Sequence, residues 1–222
     1  MTKAERRAAQ QAARAEALAD RIGSVLALRG GERVLDVGCG AGALAYAVAP
    51  VAREVVAVDS DASMVAVARA NAPANVRVEL ADGERLPFDD GEFDVAATLR
   101  TLHHTLHPGR LVAELVRVTT PGGIVFVVDQ LAPVDEEEAR ALNEFERARD
   151  ASTSHVLAEH ELRELFAQLG LNVVHAEVDR EARDLDAYLD LAGCVGAERD
   201  RVARLAPPGY AATLGWYVLL RP

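Results

Sequence analysis

Short apolar segments alternate with helical patterns between residues 33 and 130. The apolar segments read RVLDVG, EVVAVDSD, VRVELAD, FDVAATLRT and GGIVFVVDQ, and stretches such as ASMVAVARANA and PGRLVAELVRVT stand between them. Nearly continuous apolar strands separated by helices are typical of a parallel sheet that is buried on both faces. The pattern therefore predicts an α/β fold with a doubly wound sheet at its centre.

The alternation changes after residue 131. Two polar-faced helical stretches, DEEEARALNEFERARD and EHELRELFAQLG, precede the strand pattern NVVHAEV, and two further helical stretches precede LGWYVLLRP. We interpret the extra helices as insertions that cover the open edge of the sheet. The predicted organisation is one domain over 1–222, with a helical lid at 1–29, a ligand-binding core at 30–130, lid insertions at 131–160 and 180–210, and final strands at 170–179 and 213–221.

Composition narrows the partners and the compartment. The formal net charge of −11 repels phosphate backbones and anionic membrane surfaces, which argues against nucleic acid as a partner. The first twenty residues are charged and alanine-rich, and no run of 18 apolar residues occurs, so neither a signal peptide nor a membrane span is expected. The two cysteines, Cys39 and Cys194, are too few for a disulfide framework, and a cytoplasmic location follows as the expectation.

Three glycines, Gly38, Gly40 and Gly42, end the first strand in the stretch VLDVGCGAG. Glycine lets a chain turn sharply between strand and helix and lets a ligand lie against the main chain. In open parallel sheets, ligands bind beyond the carboxyl ends of the strands, which is where this turn falls. A nucleotide is the usual ligand, and with Ala43 the turn also fits the dinucleotide pattern G-x-G-x-x-[GA], so the glycines alone leave the cofactor open.

Aspartates recur at the ends of three successive strands. Asp36 lies in the first strand, two residues before the first glycine. Asp59 ends the second strand, where a carboxylate could hold two ribose hydroxyls, and Asp82 follows the third, where it could accept a hydrogen bond from a purine amino group. Each residue alone could be a turn or cap residue. Their recurrence favours a nucleoside site.

The stretches VLDVGCGAG, VVAVDSD, ADGERLPFDDGEFDVA, LHHTLHP and RVTTPGGIVFVVD resemble the successive motifs of class I S-adenosylmethionine-dependent methyltransferases. The likeness is to the small-molecule branch (methyltransferase type 11) that includes ubiquinone/menaquinone-type C-methyltransferases. It covers residues 30–130 by motif and the remainder by architecture. It implies a Rossmann-like sheet of seven strands in the order 3-2-1-4-5-7-6 with strand 7 antiparallel, S-adenosyl-L-methionine as cofactor, and a small phenolic, enolic or quinone-like acceptor.

By this resemblance, Asp36 and the glycines face the amino acid end of the cofactor, Asp59 its ribose and Asp82 its adenine amino group. The Gly83 N–H or a neighbouring apolar side chain would contact the adenine ring. The negative charge of Asp36 suits an ammonium group and would repel a pyrophosphate, which favours S-adenosylmethionine over NAD. The predicted cofactor-binding residues are Asp36, Gly38, Cys39, Gly40, Gly42, Asp59, Ser60, Met64, Asp82, Gly83, Leu99, Arg100 and His104.

Histidines supply the candidate catalytic residues. His104 follows the fourth strand, beside the position of the transferable methyl group, and His155 lies in the first insertion; imidazole is a competent base near neutral pH. The stretch RDASTSH (149–155) resembles an Arg-Asp-x-Ser-His element of this branch, interrupted by two extra residues. His103 and His107 could instead cap the turn that follows the fourth strand. The three histidines do not indicate a metal site, because no Cys or carboxylate beside them completes a ligand set.

Two other functions stay open at this stage. A nicotinamide-dependent oxidoreductase would use a similar glycine turn, and a methyltransferase fold could instead serve cyclisation or binding alone. An RNA or protein acceptor is disfavoured because the chain has no basic face and no Asn/Asp-Pro-Pro-aromatic run after the fourth strand. These motifs do not identify the methyl acceptor or the atom that is methylated. They also leave the oligomeric state open, and a homodimer is one alternative.

Overall fold

The computed structural model describes residues 17–222 and contains a seven-stranded sheet within that range. The strand order is β3-β2-β1-β4-β5-β7-β6, in which β1 to β5 pair in parallel and β7 runs antiparallel to both of its neighbours. This confirms the predicted fold class and strand order. The strands are β1 Arg33–Val37, β2 Glu54–Asp59, β3 Val76–Leu80, β4 Phe93–Leu99, β5 Thr119–Leu131, β6 Asn172–Ala182 and β7 Ala211–Leu220.

Helices cover both faces of the sheet, as its apolar strands require. The helices are α1, described over 17–26, α2 Ala43–Val48, α3 Ala62–Asn71, α4 Pro108–Val118, α5 Glu136–Arg149, α6 Glu159–Gln168, α7 Leu185–Ala192 and α8 Gly196–Leu205. Buried side chains of α1, α2 and α3 form one core with one face of the strands, and those of α4 and α6 form a second core with the other face. Alternate residues of β1 and β2 point to opposite cores, so both faces must be apolar.

The two predicted insertions pack against each other. Helices α5, α7 and α8 share an apolar cluster that includes Phe145, Tyr188, Leu189 and Val202. Helix α5 follows β5, whereas α7 and α8 stand between the end of β6 and the start of β7. Helix α5 leaves from the carboxyl end of β5, and the segment after it returns to that end, where Ala158 bridges Ala132. Because β6 is parallel to β5 and β7 is antiparallel, the connection through α7 and α8 also leaves from and returns to the carboxyl edge of the sheet. The cluster therefore stands at the edge where ligands bind in such folds.

The last two strands are longer at this edge than their sequence patterns indicate. Strand β6 continues to Ala182 and β7 begins at Ala211, and these two residues pair with each other. Main-chain pairing can extend a strand through polar residues such as Arg180 and Glu181, which carry no apolar alternation for a sequence pattern to register.

Residues 1–16, most of the predicted N-terminal lid helix, lie outside the described residues. The described part, 17–26, buries Ile22 and Leu26, and the Arg21 guanidinium lies 4.0 Å from the centre of the Trp216 ring of β7. Arg21 also pairs with Asp179 of β6 at 2.5 Å, so this helix is docked on the last two strands. No helix within 17–222 is long and apolar enough to cross a membrane.

Candidate active site

The glycine turn follows β1 in a left-handed conformation. Gly38, Gly40 and Gly42 have φ values of 75°, 54° and 97°. A Cβ atom on Gly38 would lie 2.2 Å from Thr101 Cγ2, and one on Gly42 would lie 2.4 Å from the Tyr46 ring. Packing within the protein therefore already demands glycine at these two positions.

The amide groups of this turn bond within the protein. The N–H groups of Gly38 and Cys39 both donate to the Val58 carbonyl oxygen, at 2.8 and 3.0 Å, and that of Gly40 donates to Asp59 Oδ2 at 2.8 Å. The sequence interpretation expected a ligand to lie against the main chain of this turn, and these three N–H groups are already used to join the turn to β2. What the turn presents to a ligand is a close-lying main chain without side chains. Cys39 itself is buried, which raises the pKa of its thiol.

Asp36 is a buried carboxyl group with one oxygen unused. Its Oδ2 accepts the Ala45 N–H of α2 at 3.0 Å, whereas Oδ1 has no hydrogen-bond partner among the described residues. Burial raises the pKa of Asp36 to about 7; the Ala45 N–H opposes this rise and the charge of Asp59 adds to it. Leaving a buried polar atom unpaired costs about 1–3 kcal/mol, so Oδ1 is suited to accept a hydrogen bond from a cationic ligand group.

Asp59 ends β2 and ties two elements together. Its Oδ2 accepts the Gly40 N–H, and its Oδ1 accepts the Asp61 N–H at 2.8 Å. Asp61 in turn caps α3 by accepting the Ser63 N–H at 2.8 Å. The half-buried Asp59 carboxylate thus stands between the glycine turn and the start of α3, at the carboxyl edge, where the sequence interpretation expects a ribose.

The remaining predicted contacts of the nucleoside surround this point. Met64 of α3 is buried and packs against Ala41 of the glycine turn, while Ser60 is exposed. Asp82 is exposed, and its Oδ1 accepts the Glu84 N–H at 2.9 Å. A Cβ on Gly83 would lie 2.8 Å from Val37 Cγ1, so the loop after β3 packs directly on the end of β1.

Leu99 and Arg100 end β4. Leu99 is half-buried against the core that faces α2 and α3. Arg100 has a φ of 56°, unusual for a residue with a side chain, and its N–H donates to the Val128 carbonyl oxygen at 2.7 Å. Its guanidinium binds Glu181 Oε2 at 2.8 Å and so links the end of β4 to the edge strand β6.

His103 is paired with a carboxylate that the sequence interpretation did not single out. Asp129 of β5 is buried; its Oδ1 contacts His103 Nδ1, and its Oδ2 accepts the His103 N–H at 3.2 Å. Burial alone would raise the pKa of Asp129, but the adjacent His103 outweighs it and the pKa is lowered. The available signal was an acid near the end of the fifth strand, the pattern that had identified Asp59. No group of three or more potential metal ligands occurs within residues 17–222.

His104 contacts the segment that follows α5. Its Nδ1 lies 3.2 Å from Ser152 Oγ, and Ser152 Oγ donates to Asp150 Oδ1 at 2.7 Å. The His104 N–H donates to the Thr101 carbonyl oxygen at 2.9 Å, which fixes the 3-10 turn at the end of β4. His104 is therefore held from both the strand side and the lid side.

The second predicted catalytic histidine approaches the same turn through its main chain. The N–H groups of Ser154 and His155 donate to the His103 carbonyl oxygen at 2.8 and 3.2 Å. The His155 side chain is exposed. The segments that carry His104 and His155 are thus adjacent, and it is Ser152 whose side chain contacts His104.

A buried polar cluster around Glu146 lies close to residues 150–155 in the chain, and the sequence interpretation did not predict it. Glu146 accepts hydrogen bonds from Arg149 Nε at 2.9 Å, Gln130 Nε2 at 2.9 Å, Tyr188 Oη at 3.0 Å and Tyr210 Oη. Burial would raise the pKa of Glu146, but Arg149 and the donors lower it. These donors come from β5, α5, α7 and the loop before β7, so the cluster joins both insertions to the sheet.

A cavity of about 520 Å³ opens elsewhere along the same edge, between α8 and the ends of β6 and β7. Arg183, Pro207 and Tyr210 are among its lining residues, and none of the predicted cofactor-binding residues is. The candidate cofactor site is thus defined by the glycine turn and its aspartates, independently of this cavity.

Comparison with known proteins places this geometry in a family. Residues 35–127 match the methyltransferase domain family Methyltransf_11. A "Probable S-adenosylmethionine-dependent methyltransferase" of Mycolicibacterium smegmatis is 31% identical over 196 residues, which span 80% of this chain and 75% of that relative. The chain belongs to the class I S-adenosylmethionine-dependent methyltransferase family, and the cofactor of that family is S-adenosylmethionine.

Other relatives match a shorter region. The uncharacterized methyltransferase YcgJ of Bacillus subtilis is 37% identical over 128 residues, or 56% of this chain and 51% of YcgJ. The ubiquinone/menaquinone biosynthesis C-methyltransferase UbiE of Stutzerimonas stutzeri is 34% identical over 126 residues, or 53% of this chain and 49% of UbiE. The matched region thus spans about half the length of these two curated relatives.

Solved structures share the fold. A candidate methyltransferase from Bacillus halodurans superimposes with a TM-score of 0.85 at 23% identity, covering 92% of this chain and 98% of that one. The [4+2]-cyclase SpnF superimposes with a TM-score of 0.72 at 19% identity, covering 92% of this chain and 80% of SpnF.

The donor set fits S-adenosylmethionine. The unpartnered Asp36 oxygen can accept a hydrogen bond from an ammonium group, and Gly40 adds no side chain to the turn beside it. The Asp59 carboxylate is a suitable acceptor for ribose hydroxyls.

Proposed function

We propose that this chain transfers a methyl group from S-adenosylmethionine to a small phenolic, enolic or quinone-like molecule. The observation that carries the proposal is the buried Asp36 carboxyl, with one oxygen unpartnered among the described residues, directly before a left-handed glycine turn that is tied to Asp59. A pyrophosphate would be repelled by the Asp59 carboxylate and by any ionised Asp36, whereas an ammonium group would favour the ionised form of Asp36.

The cofactor end of the site binds and orients. Asp36 would receive the ammonium group, Asp59 the ribose, and the Asp82–Gly83 loop the adenine. Gly38, Cys39, Gly40 and Gly42 would form the surface beneath the amino acid end, with Ser60, Met64, Leu99 and Arg100 around it. Bound S-adenosylmethionine supplies a methyl carbon already activated by its sulfonium charge. Positioning the acceptor against that carbon can contribute about 7–11 kcal/mol of the barrier reduction.

The acceptor end would remove a proton from the acceptor when the methylated group is a hydroxyl. His104, at the end of β4 and in contact with the lid segment, would take the proton of a hydroxyl acceptor, with His155 at the rim of the same site. Support for an acceptor of this size comes from the relative UbiE, whose name refers to quinone biosynthesis. Support for His104 comes from its placement beside Thr101, the residue that packs on Gly38.

The proposal is tested by binding and by turnover. Calorimetry should show binding of S-adenosylhomocysteine and no binding of NAD. A methyl-labelled cofactor should then transfer label to a member of a panel of phenols, enols and hydroquinones. Binding of NAD without binding of S-adenosylhomocysteine would contradict the proposal and favour an oxidoreductase.

A second candidate is a non-methylating reaction on the same fold, favoured by the fold shared with the cyclase SpnF. It predicts binding of S-adenosylhomocysteine but no transfer of label to any acceptor. The labelled-cofactor experiment therefore separates the two.

A further inference from the structure

We propose that Ser152 and Asp150 form a hydrogen-bond relay that holds His104 in its Nδ1–H tautomer and directs the basic Nε2 atom to the acceptor. Ser152 and Asp150 are positioning residues in this proposal, because they act through His104. The catalytic consequence rests on the proposed function, whereas the tautomer is a property of the protein alone.

The direction of the relay follows from the number of hydrogens. Asp150 Oδ1 lies 2.7 Å from Ser152 Oγ and also accepts the Ser152 N–H at 3.1 Å. A carboxylate only accepts hydrogen bonds, and a hydroxyl has a single hydrogen, so the Ser152 hydroxyl donates to Asp150. Its oxygen then acts as acceptor toward His104 Nδ1 at 3.2 Å, so that Nδ1 carries the proton. In a neutral imidazole the lone pair of the ring is then on Nε2.

The relay is anchored at both ends. Asp150 is buried at the C-terminal end of α5, where its N–H donates to the Glu146 carbonyl oxygen at 2.9 Å. Thr153 donates its N–H to the Asp150 carbonyl oxygen at 2.9 Å, which closes the turn that presents Ser152. On the other side, the His104 ring packs on the ring of His103 with 4.1 Å between centroids. The position of Ser152 opposite Nδ1 is therefore set by local hydrogen bonds at the end of α5 on one side and by the packing of the two histidine rings on the other.

The same local turn occurs a second time and shows which contact is special. At Asp61-Ala62-Ser63, the Ser63 N–H and Oγ bind Asp61 Oδ1 at 2.8 and 2.7 Å, as Ser152 binds Asp150 in Asp150-Ala151-Ser152. Ser63 bonds no imidazole in the described residues, whereas Ser152 contacts His104. Because the sequence Asp-Ala-Ser makes the Asp–Ser contact by itself, the contact with His104 is the added feature.

In the proposed reaction, one proton passes from the acceptor to His104. The O–H bond of the acceptor breaks, its electron pair stays on oxygen and takes up the methyl group, and the proton goes to His104 Nε2. The sulfur keeps the electron pair of the broken bond to the methyl carbon, and S-adenosylhomocysteine leaves. The imidazolium donates to Ser152 through Nδ1 and later loses the Nε2 proton to water.

The tautomer is measured by long-range ¹H–¹⁵N NMR on the full chain labelled at histidine, at about pH 9, where an ordinary imidazole is neutral. The His104 signal is assigned from its loss in His104→Gln. We expect the Nδ1–H tautomer in the wild type and a shift to the Nε2–H tautomer in Ser152→Ala. Ser152→Thr keeps the hydroxyl and should restore the wild-type tautomer, and the matched control Ser63→Ala should leave it unchanged. An Nε2–H tautomer in the wild type, or no change in Ser152→Ala, overturns the proposal.

Turnover tests the consequence separately. We expect kcat for a hydroxyl acceptor to fall about tenfold in Ser152→Ala, equivalent to about 1.4 kcal/mol, and to recover in Ser152→Thr. Affinity for S-adenosylhomocysteine should stay within about twofold. A changed tautomer with unchanged kcat overturns the positioning role. The absence of any methyl transfer by the wild type, with the Nδ1–H tautomer present, overturns the proposed function and leaves the relay standing.

Discussion

The two ends of the candidate site are built differently. The part of the cofactor end proposed to hold the amino acid and the ribose consists of a glycine turn, a buried carboxyl and a strand-end carboxylate, all within residues 36–59, and hydrogen bonds from main-chain N–H groups join them to the sheet and to α2. The acceptor end consists of side chains that meet from far apart in the chain, such as His103 with Asp129 and His104 with Ser152. The main chain of the cofactor end suits one fixed ligand. The acceptor end depends on individual side chains brought together by the fold, and function in such a fold depends on the site it carries.

Gly40→Val should give the largest effect and should act on the cofactor end alone. Valine is strained at a φ of 54° and adds a branched side chain to the turn that we propose lies beneath the cofactor. We expect the affinity for S-adenosylhomocysteine to fall by at least about a hundredfold in calorimetry. The control is Gly122→Val, which has the same kind of strain at a φ of 75° with open space around the added atom. Both variants should lose about 1–2 kcal/mol of stability. Equal affinity in the two variants would show that Gly40 does not approach the cofactor.

Asp129→Asn should act on the acceptor end and spare the cofactor end. It removes the charge that accepts the His103 N–H, the Gln130 N–H and the His103 ring. We expect the free energy of unfolding to fall by about 1.5–3 kcal/mol in denaturant titrations. Affinity for S-adenosylhomocysteine should remain within about twofold. A loss of cofactor affinity as large as the loss caused by Gly40→Val would mean that the two ends are not separable.

The Asp129 charge also gives a pH dependence of definite sign. Its pKa is lowered by folding, so the contribution to stability is present above the unfolded value and is lost as the pH falls through the lowered one. The difference in stability between wild type and Asp129→Asn should therefore shrink under acid conditions. A constant difference at all pH values would contradict this assignment.

Asp59→Ala should weaken cofactor binding at least about tenfold, since a hydrogen bond to a charged group contributes about 1.5–3 kcal/mol. Asp94→Ala is the matched control. Asp94 Oδ2 accepts the Arg33 N–H at 2.8 Å, so it also ties the main chain of one strand to another, but at the amino edge of the sheet. Calorimetry with S-adenosylhomocysteine should show unchanged affinity in the control. A similar loss in both variants would trace the effect of Asp59 to stability.

The smallest expected effect concerns Asp36 and is the number of protons released when S-adenosylhomocysteine binds. Its pKa of about 7 lies above the unfolded value, so folding is favoured when it is protonated and this contribution is lost as the pH rises toward 7. An ammonium group at Oδ1 would favour the carboxylate, so binding of S-adenosylhomocysteine at about pH 6 should release close to one proton. Calorimetry in two buffers of different ionisation enthalpy measures this release. Asp36→Asn should abolish it, and a wild type that releases none would place the ammonium elsewhere.

The closeness of the residues proposed to hold the cofactor could be predicted from the sequence because they belong to strand ends and to the turn between them, whereas their contacts with the cofactor stay a prediction. The apolar runs of β1 and β2 fix where the strands end, and parallel pairing brings those ends to one edge, so Asp36, Gly40 and Asp59 are close once the fold is known. For the acceptor end, the sequence indicated which segments take part but not which side chains contact each other. His104 and His155 do lie on adjacent segments, but Asp129, Ser152 and the polar cluster around Glu146 were not foreseen.

The sequence by itself determined the elements, their order in the sheet and the short-range turns, because hydrophobic periodicity and glycine conformation act over a few residues. The Asp–Ser turns at 61–63 and at 150–152 are alike for this reason. Only the tertiary structure decided that Ser152 contacts His104, that Asp129 pairs with His103 and that Arg100 reaches Glu181. These pairs are separated by 48, 26 and 81 residues, and their meeting depends on how closely packed side chains set the position of one element over another.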